Sequence, residues 1–439
     1  MEKLTPSLPK PLGSRLLSLL KLPYHYLLAF VGAVVFGFPA RKLNVIAVTG
    51  TKGKSSVVEL ISALLDEAGF KTAHASTIHF KIGDIKERNM HKMTMPGRFF
   101  LQHFLRKAVH AGCTHAVVEM TSEGARQFRH KFISLDALIF TNLAPEHIES
   151  HGSYENYVAA KVSLAKALQK SSKSGKLLVV NGDDKEAEKF LAVFSGTKIV
   201  YSKKDAGGEV VTSEGVSFNW QSVRIESSLP GEFNLYNILA AVSFAKASGI
   251  PVEKIQSGIK KVTTIKGRAE RITLDTPPSP PSEEGGKGTS LDFTVIVDYA
   301  HTPDSLEKFY QTYAGKYRRC ILGNTGGGRD TWKRPVMAGI AEKYCDEIIL
   351  TNEDPYDEDP EKIIREMAAG MTHKEPMLIL DRRTAIANAL QKSSKGDVVL
   401  ITGKGTDPYI MGPNGSKQVW DDATVVREEL AKVLAQRNP

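Results

Sequence analysis

Ile46-Ala47-Val48-Thr49-Gly50-Thr51-Lys52-Gly53-Lys54-Ser55-Ser56 is the stretch whose reading decides the fold. An apolar run breaks at Gly50, passes Gly-Lys-Ser, and enters Val57–Ala68, where Val57, Val58, Leu60, Ile61, Leu64 and Leu65 keep a helical period. Strand, glycine-bearing turn and helix start together make an anion cradle. Backbone N–H groups converge there, the helix dipole is positive, and a lysine reaches the outer phosphates of a nucleotide. Ser55, next to Lys54, is placed to hold Mg²⁺. Val48 stands where the longer G-x-x-x-x-G-K-[ST] loop has glycine, so the match is to the shorter T-G-T-x-G-K-[ST] form.

Working outward, 439 residues suffice for two or three domains, and 41% hydrophobic with 24% charged residues is ordinary globular composition. The net charge of +9 invites a nucleic-acid reading, but residues 1–42 carry Lys3, Lys10, Arg15, Lys21, Arg41 and Lys42 against Glu2 alone. The rest of the chain is nearly balanced and holds no RNA- or DNA-module pattern, so polyanionic small substrates account for the excess. Cys113, Cys320 and Cys345 are far apart without C-x-x-C spacing, which argues against a disulfide framework and predicts three small core residues in a reducing compartment.

Leu22–Ala40 contains no Asp, Glu, Lys or Arg, but Pro23, Gly32, Gly37 and Pro39 dilute it. Three readings stand: a helix packed on the protein or a partner, an interfacial anchor on anionic lipid, and a spanning helix. From Asn44 the chain alternates strands (Val45–Val48, Ala116–Val118, Ala137–Phe140, Leu177–Val180) with helices (Phe99–Ala111, Tyr154–Leu168), the pattern of a mostly parallel sheet covered on both faces. Ile199–Ile225 reads as antiparallel strands on one flank, followed by helices at Leu235–Ser248 and Pro251–Lys261. The Pro-, Gly- and Ser-rich stretch between Leu274 and Asp292 reads as a mobile surface loop joining two strands of one domain. A second α/β set follows, with strands at Phe293–Val297, Cys320–Leu322, Glu347–Leu350, Met377–Leu380 and Val398–Ile401.

Glu119 ends the strand Ala116–Val118, where an acid beside a phosphate loop suits a Mg²⁺ ligand. His147 and His151 follow the next strand, with Lys161 further on, and two histidines four apart at a strand end suit metal or phosphate work. Taken in order, TGTKGKSS, E-M-T-S-E, F-T-N-L-x-x-E-H-x-x-x-H-G and Y-x-x-A-K resemble the central domain of the Mur ligases. Gly231–Ala241, Gly267–Arg271, Asp298–Pro303, Gly326–Pro335 and Gly403–Gly405 resemble later blocks of the family's MurE branch.

Residues 1–43 read from their composition as a hydrophobic and basic N-terminal segment, and the resemblance implies a P-loop central domain (44–266) with a mostly parallel sheet and a Rossmann-like α/β C-terminal domain (267–439). It implies a cytoplasmic, monomeric, ATP-dependent amide ligase of peptidoglycan synthesis, joining an amino acid to a muramoyl-peptide carboxylate through an acyl phosphate. ATP would lie on Thr49, Gly50, Thr51, Lys52, Gly53, Lys54, Ser55 and Ser56, with Asn234 and Asn237 at adenine and Arg268, Asp298 and His301 from the junction. Two Mg²⁺ would use Ser55, Glu119, His147 and a carbamylated Lys161, and Lys54, His147 and Lys161 would be catalytic. The donor would meet Thr94, Pro96, Thr121, Ser122 and Arg129; the acceptor would meet Arg329, Asp354, Tyr356, Gly403 and Asp407.

The pattern also departs from the branch. Only forty-odd residues precede the P-loop domain, where the branch has a domain for the UDP group, so the donor is expected to be held differently, with residues 1–43 meeting a membrane face or a partner. D-N-P-R reads Glu353-Asp354-Pro355-Tyr356, which loses the arginine that grips a distal carboxylate. G-K-G-H-E reads Gly403-Lys404-Gly405-Thr406-Asp407. Asp354, Asp357 and Asp407 are therefore expected to receive a second ammonium, as from lysine or another diamino acid. Glu123 replaces a histidine and would repel an anionic donor unless it faces away. The alternatives are a polyglutamate, cyanophycin or folylpolyglutamate type of ligase, and a non-catalytic nucleotide-binding scaffold at the membrane.

Overall fold

The computed structural model describes residues 12–146, 148–273, 292–328 and 330–437, and no side chain is described for 12–22, 148 and 149. His147, Arg329 and the loop 274–291, named above, lie outside the described residues.

The first sheet is built on β1 (Asn44–Thr49), whose apolar run is buried from Val45 onward. With β2 (Thr72–Ala75), β3 (His79–Ile82), β4 (Ile85–Arg88), β5 (His115–Glu119), β6 (Ala137–Phe140), β7 (Leu177–Asn181) and β8 (Thr197–Tyr201), it has the order β4-β3-β2-β5-β1-β6-β7-β8. The centre is parallel, with Val48 opposite Glu119 and Thr49 opposite Phe140, so the phosphate loop and the ends of β5 and β6 emerge side by side. One face packs under Lys54–Glu67, Glu232–Ala247 and Val252–Lys261, the other under Arg98–His110 and Tyr154–Gln169. Burial on both faces is why these strands are continuous apolar runs.

Two details differ from expectation. β8 joins the parallel sheet beside β7, and the antiparallel piece is a separate sheet of β9 (Gly207–Val211), β10 (Val216–Trp220) and β11 (Val223–Ser227). The antiparallel edge β2-β3-β4 was not foreseen, because its strands are four residues long and carry His74, His79, Lys81, Lys86 and Glu87.

The second sheet comprises β12 (Glu270–Arg271), β13 (Thr294–Val297), β14 (Arg318–Leu322), β15 (Glu347–Leu350), β16 (Met377–Leu378) and β17 (Val398–Ile401), in the order β12-β13-β17-β14-β15-β16. All its pairs are parallel except β12 with β13, the two strands flanking residues 274–291. Two buried apolar clusters, drawn from residues 269–433, cover its faces.

The cysteine expectation needs correction. Cys320 of β14 and Cys345, just before the neighbouring β15, form a disulfide across a Cα–Cα distance of 6.0 Å. Parallel pairing of the two strands brings together residues that are 25 apart in sequence. Cys113 alone is a buried free thiol.

At the N-terminal end the packed reading holds. Leu12–Val35 is one helix through Pro23, with Ala29 and Ala33 buried. It lies on Arg98–His110, with Tyr26 and Phe30 edge-on to Phe132 and Phe36 stacked on His103. Among the described residues no helix is long and apolar enough to cross a membrane. The outward face exposes Tyr24, Leu27, Val31, Val34 and Val35.

Candidate active site

The phosphate loop is shaped by two close approaches. Gly50 (φ +149°) would put a Cβ 1.9 Å from Thr141 Oγ1, and Gly53 (φ +81°), which caps the following helix, would put one 2.2 Å from Asn237 Oδ1. Only glycine fits either position. Thr51 N–H donates to the Asn142 carbonyl (2.7 Å), and the Thr51 hydroxyl meets Tyr157 OH (2.8 Å). Lys52 N–H donates to Asn142 Oδ1 (2.9 Å), whereas the Thr49 hydroxyl is spent on the Met120 carbonyl (3.0 Å).

At the helix start Ser55 Oγ donates to Glu119 Oε2 (2.9 Å). Thr77, which no sequence motif pointed to, donates its N–H to the same oxygen (2.9 Å) and bonds Thr94 through its hydroxyl (2.7 Å). Glu119 is thus buried and aimed at Ser55, and Lys54 Nζ lies 3.8 Å from its other oxygen. This cluster of hydroxyl and carboxylate oxygens beside a phosphate loop fits Mg²⁺, which prefers oxygen ligands. Burial pushes the Lys54 ammonium below its usual range, and Glu119 and Glu146 oppose that shift.

Lys161 is brought to the loop from the Tyr154–Gln169 helix. It is buried, and its Nζ donates to the Gly50 carbonyl (2.6 Å). Burial, reinforced by the nearby Lys54 charge, holds its amine well below the ordinary lysine range.

A cavity of about 450 Å³ opens from the loop between the two sheets' domains. Lys52, Gly53, Ser56, Asn237, Arg268 and Asp298 are among its walls. Arg268 stacks over the Tyr299 ring at 4.5 Å, and Asp298 accepts the Ala269 and Ala300 N–H groups (2.6 Å each). Lys52 and His301 both reach Glu146 Oε1, at 3.0 and 3.2 Å, tying the loop to the C-terminal domain. Burial and the Lys52 charge bring the His301 pKa down to about 4. Asn234 does not line this cavity. It lies in the first turn of the Glu232–Ala247 helix and braces Asn237, accepting from Asn237 Nδ2 at 3.0 Å.

The expected donor residues are already engaged. Thr121 caps the Ser122–Arg126 helix by accepting the Gly124 N–H, Ser122 meets His151 (3.1 Å), and Arg129 donates to Met95 O and Gln127 Oε1. Pro96 is half-buried just before the Arg98–His110 helix. Glu123 is held within its own helix by Gln127 (2.6 Å) and Arg126 (3.4 Å), which balances the charge suspected of repelling an anion.

On the acceptor side two of the expected acids are paired with lysines. Asp354 binds Lys404 (2.8 Å) and Lys92 (2.6 Å), and Asp407 binds the same two lysines (3.0 and 3.1 Å). An acceptor ammonium that meets these two carboxylates therefore has to displace a lysine. Lys92 comes from the central domain, and this pairing across the interface could not be read from linear spacing. Asp357 accepts the Asn414 N–H (2.7 Å), and Tyr356 lies under Lys92 (5.7 Å) at φ +52°. Gly403 abuts the buried Glu353, whose Oε2 a Cβ would approach to 2.5 Å.

Two family models match this chain: the Mur ligase middle domain over residues 48–245, and the Mur ligase glutamate ligase domain over residues 287–405. The chain belongs to the Mur ligases. Members of this family are ATP-dependent amide ligases that use Mg²⁺. The chain is 36% identical to the UDP-N-acetylmuramoyl-L-alanyl-D-glutamate–2,6-diaminopimelate ligase of Syntrophomonas wolfei, over 87% of this chain and 77% of that one. It is 34% identical to the enzyme of the same description from Aquifex aeolicus, over 90% and 79%. A solved structure of a ligase of that description superposes with a TM-score of 0.59 at 28% identity, covering 90% of this chain and 79% of the other.

Proposed function

We propose that this Mur ligase works in the cytoplasm on a muramoyl-peptide carboxylate, joining it to an amino acid in peptidoglycan synthesis. The observation that carries the reading is the convergence of Lys54, the Ser55–Glu119–Thr77 chain and buried Lys161 on one phosphate loop, at the mouth of a cavity walled by both domains. A carboxylate oxygen attacks the γ-phosphorus of ATP, ADP leaves, and an acyl phosphate forms. The acceptor amine then attacks the carbonyl carbon, phosphate leaves, and one proton is released. When bound, Mg²⁺ neutralises phosphate charge, with Ser55, Glu119, His147 and a modified Lys161 as the residues to hold two ions. Lys54 and the loop amides orient the phosphates and balance their charge. Asn237 lies toward the base, and Arg268, Asp298 and His301 close over the nucleotide from the junction. We divide the chain for this purpose at residues 43 and 266.

Lys161 enters this reading as a carbamate. Its neutral amine adds to CO₂ and loses a proton, leaving an anion that favours Mg²⁺ where a lysine cation would oppose it. The burial and lowered pKa of the amine support this step. ADP release by the full chain, screened over amino acids and muramoyl-peptide donors, should identify one donor–acceptor pair. With that pair Lys161→Ala is expected to fall by about a hundredfold or more and to recover partly with added short carboxylic acids. Normal activity without rescue would falsify the carbamate. ATP binding without turnover on any donor would favour the scaffold reading.

The helix Leu12–Val35 supports contact with an anionic membrane face, because its exposed apolar side sits in the same segment as Lys3, Lys10, Arg15, Lys21, Arg41 and Lys42. The protein is expected to sediment with phosphatidylglycerol vesicles at low salt and to be released at high salt. Equal recovery with neutral vesicles would count against the charge-based contact.

A further inference from the structure

We propose that Glu59, His74 and His79 form a zinc site that clamps the helix of the phosphate loop to the edge of the first sheet. Nothing in the nucleotide chemistry above uses these residues. Their placement follows from strand alternation. β2 and β3 pair with Ala75 opposite Phe80 and His74 opposite Lys81. Ala73, Ala75 and Phe80 enter the apolar cluster on one face, so His74 and His79 turn to the other face. The Lys54–Glu67 helix covers that face and presents Glu59 one turn beyond Ser55.

Glu59 Oε1 lies 3.3 Å from His74 Nε2 and 3.4 Å from His79 Nε2, and the three donor atoms are all within 4.8 Å of one another. Such separations would suit hydrogen bonds, but none is formed. Glu59 Oε1, both ring nitrogens of His74 and Nε2 of His79 are all buried without a hydrogen-bond partner. Buried polar atoms are rarely left in that state, and here four of them, from three side chains, cluster together. Their spacing matches a metal better than a pair. With zinc–nitrogen bonds near 2.0–2.1 Å, neighbouring ligands on a tetrahedron stand about 3.3 Å apart.

The donor set selects the ion. Two imidazole nitrogens and one carboxylate oxygen suit zinc, whereas Mg²⁺ and Ca²⁺ want oxygen throughout. His74 is 1% exposed, and burial keeps both imidazoles neutral, the form that ligates, with His79 brought down to about 4. Burial also raises Glu59 to about 7, so its carboxylate gains from a nearby cation. Lys86 and Lys81 offset that rise only in part, and Lys81 is itself paired with Asp66. The three side chains supply three ligands, and water would complete the fourth position on zinc.

The clamp would reach the nucleotide site through one short loop. Residues 76–78 run between the two histidines, and Thr77 in their middle donates to Glu119. Zinc would hold both ends of that loop and so fix the orientation of Glu119. This last effect rests on the proposed function; the metal site does not.

The test uses the full chain, stripped with a chelator and titrated with Zn²⁺ against a chromophoric competitor, with metal per chain counted by mass spectrometry. The wild type and the surface control His110→Gln should bind one equivalent more than Glu59→Gln or His79→Gln. At that equivalent each ligand variant should be weakened by about a hundredfold or more. Zinc bound near Ser55 and Glu119 is common to all four proteins and cancels. Zinc should raise the melting temperature of the wild type and not of the ligand variants. Co²⁺ in the stripped wild type should give the intense visible bands of a four-coordinate site, a readout that needs no variant to fold. Equal uptake by all four proteins, or a weak octahedral cobalt spectrum, would overturn the site. Loss of the zinc equivalent with turnover unchanged would keep the clamp and sever its link to Glu119. Loss of the ligase reading alone would leave the zinc count as stated.

Discussion

Lys54→Ala is expected to lower the rate of ADP formation by about a thousandfold while leaving the fold intact. Lys54 Nζ donates to the Thr51 carbonyl (2.9 Å) and lies 3.8 Å from Glu119, so its charge is held at the loop before any nucleotide arrives. Its side chain is 15% exposed, so water screens it weakly and its charge acts at short range on developing phosphate charge. Preorganised charge contributes most in such a site because little reorganisation is needed as the reaction proceeds. Single-turnover ADP formation, read beside the affinity for a fluorescent ATP analogue, separates chemistry from binding. A large loss of rate with a few-fold loss of affinity is the expected outcome. A loss of less than tenfold would remove Lys54 from the chemistry and leave the loop as a binding element only.

The largest effect on stability is expected at Arg382. Its Nε and Nη2 donate to the two oxygens of Asp422 at 2.8 and 2.7 Å, and both side chains are fully buried. Nη2 also reaches the Thr402 carbonyl, and Trp420 Nε1 donates to Asp422 Oδ1, each at 2.8 Å. The pair pins the Arg382–Lys392 helix to the start of the final helix and to the end of β17. Arg382→Ala leaves Asp422 buried without its cation, at a cost of about 3–5 kcal/mol. Replacing both partners, as Arg382→Met with Asp422→Leu, should recover much of that loss, because no charge is then stranded. Urea unfolding followed by tryptophan fluorescence would report it through Trp420. A single variant within about 1 kcal/mol of wild type would mean that water or a neighbouring group satisfies Asp422.

Much of this protein could be read from the chain alone, and what could be read is local. The strand–glycine–helix stretch at Ile46–Ser56 writes a phosphate loop into eleven consecutive residues. The strands β1, β5, β6 and β7 are continuous apolar runs because both of their faces are covered. Motif order was enough to resemble the Mur ligases, because such motifs sit at strand ends whose sequence is constrained over a few residues. The β2-β3-β4 edge escaped the same reading. Strands of four residues with histidines and lysines on one face have no period long enough to register.

What only the tertiary structure decided is which charges meet. Lys161 is 111 residues from the Gly50 carbonyl it contacts, and Lys92 is 262 residues from Asp354. The first contact places an amine beside the loop. The second pairs one of the acids that an ammonium-bearing acceptor was expected to meet. Cys320 and Cys345 meet because their strands are neighbours, and Glu59, His74 and His79 because a helix crosses a hairpin. Periodicity reports which face of an element is buried, since burial acts on each residue in turn. It cannot report the partner across the core, because that depends on how whole elements pack.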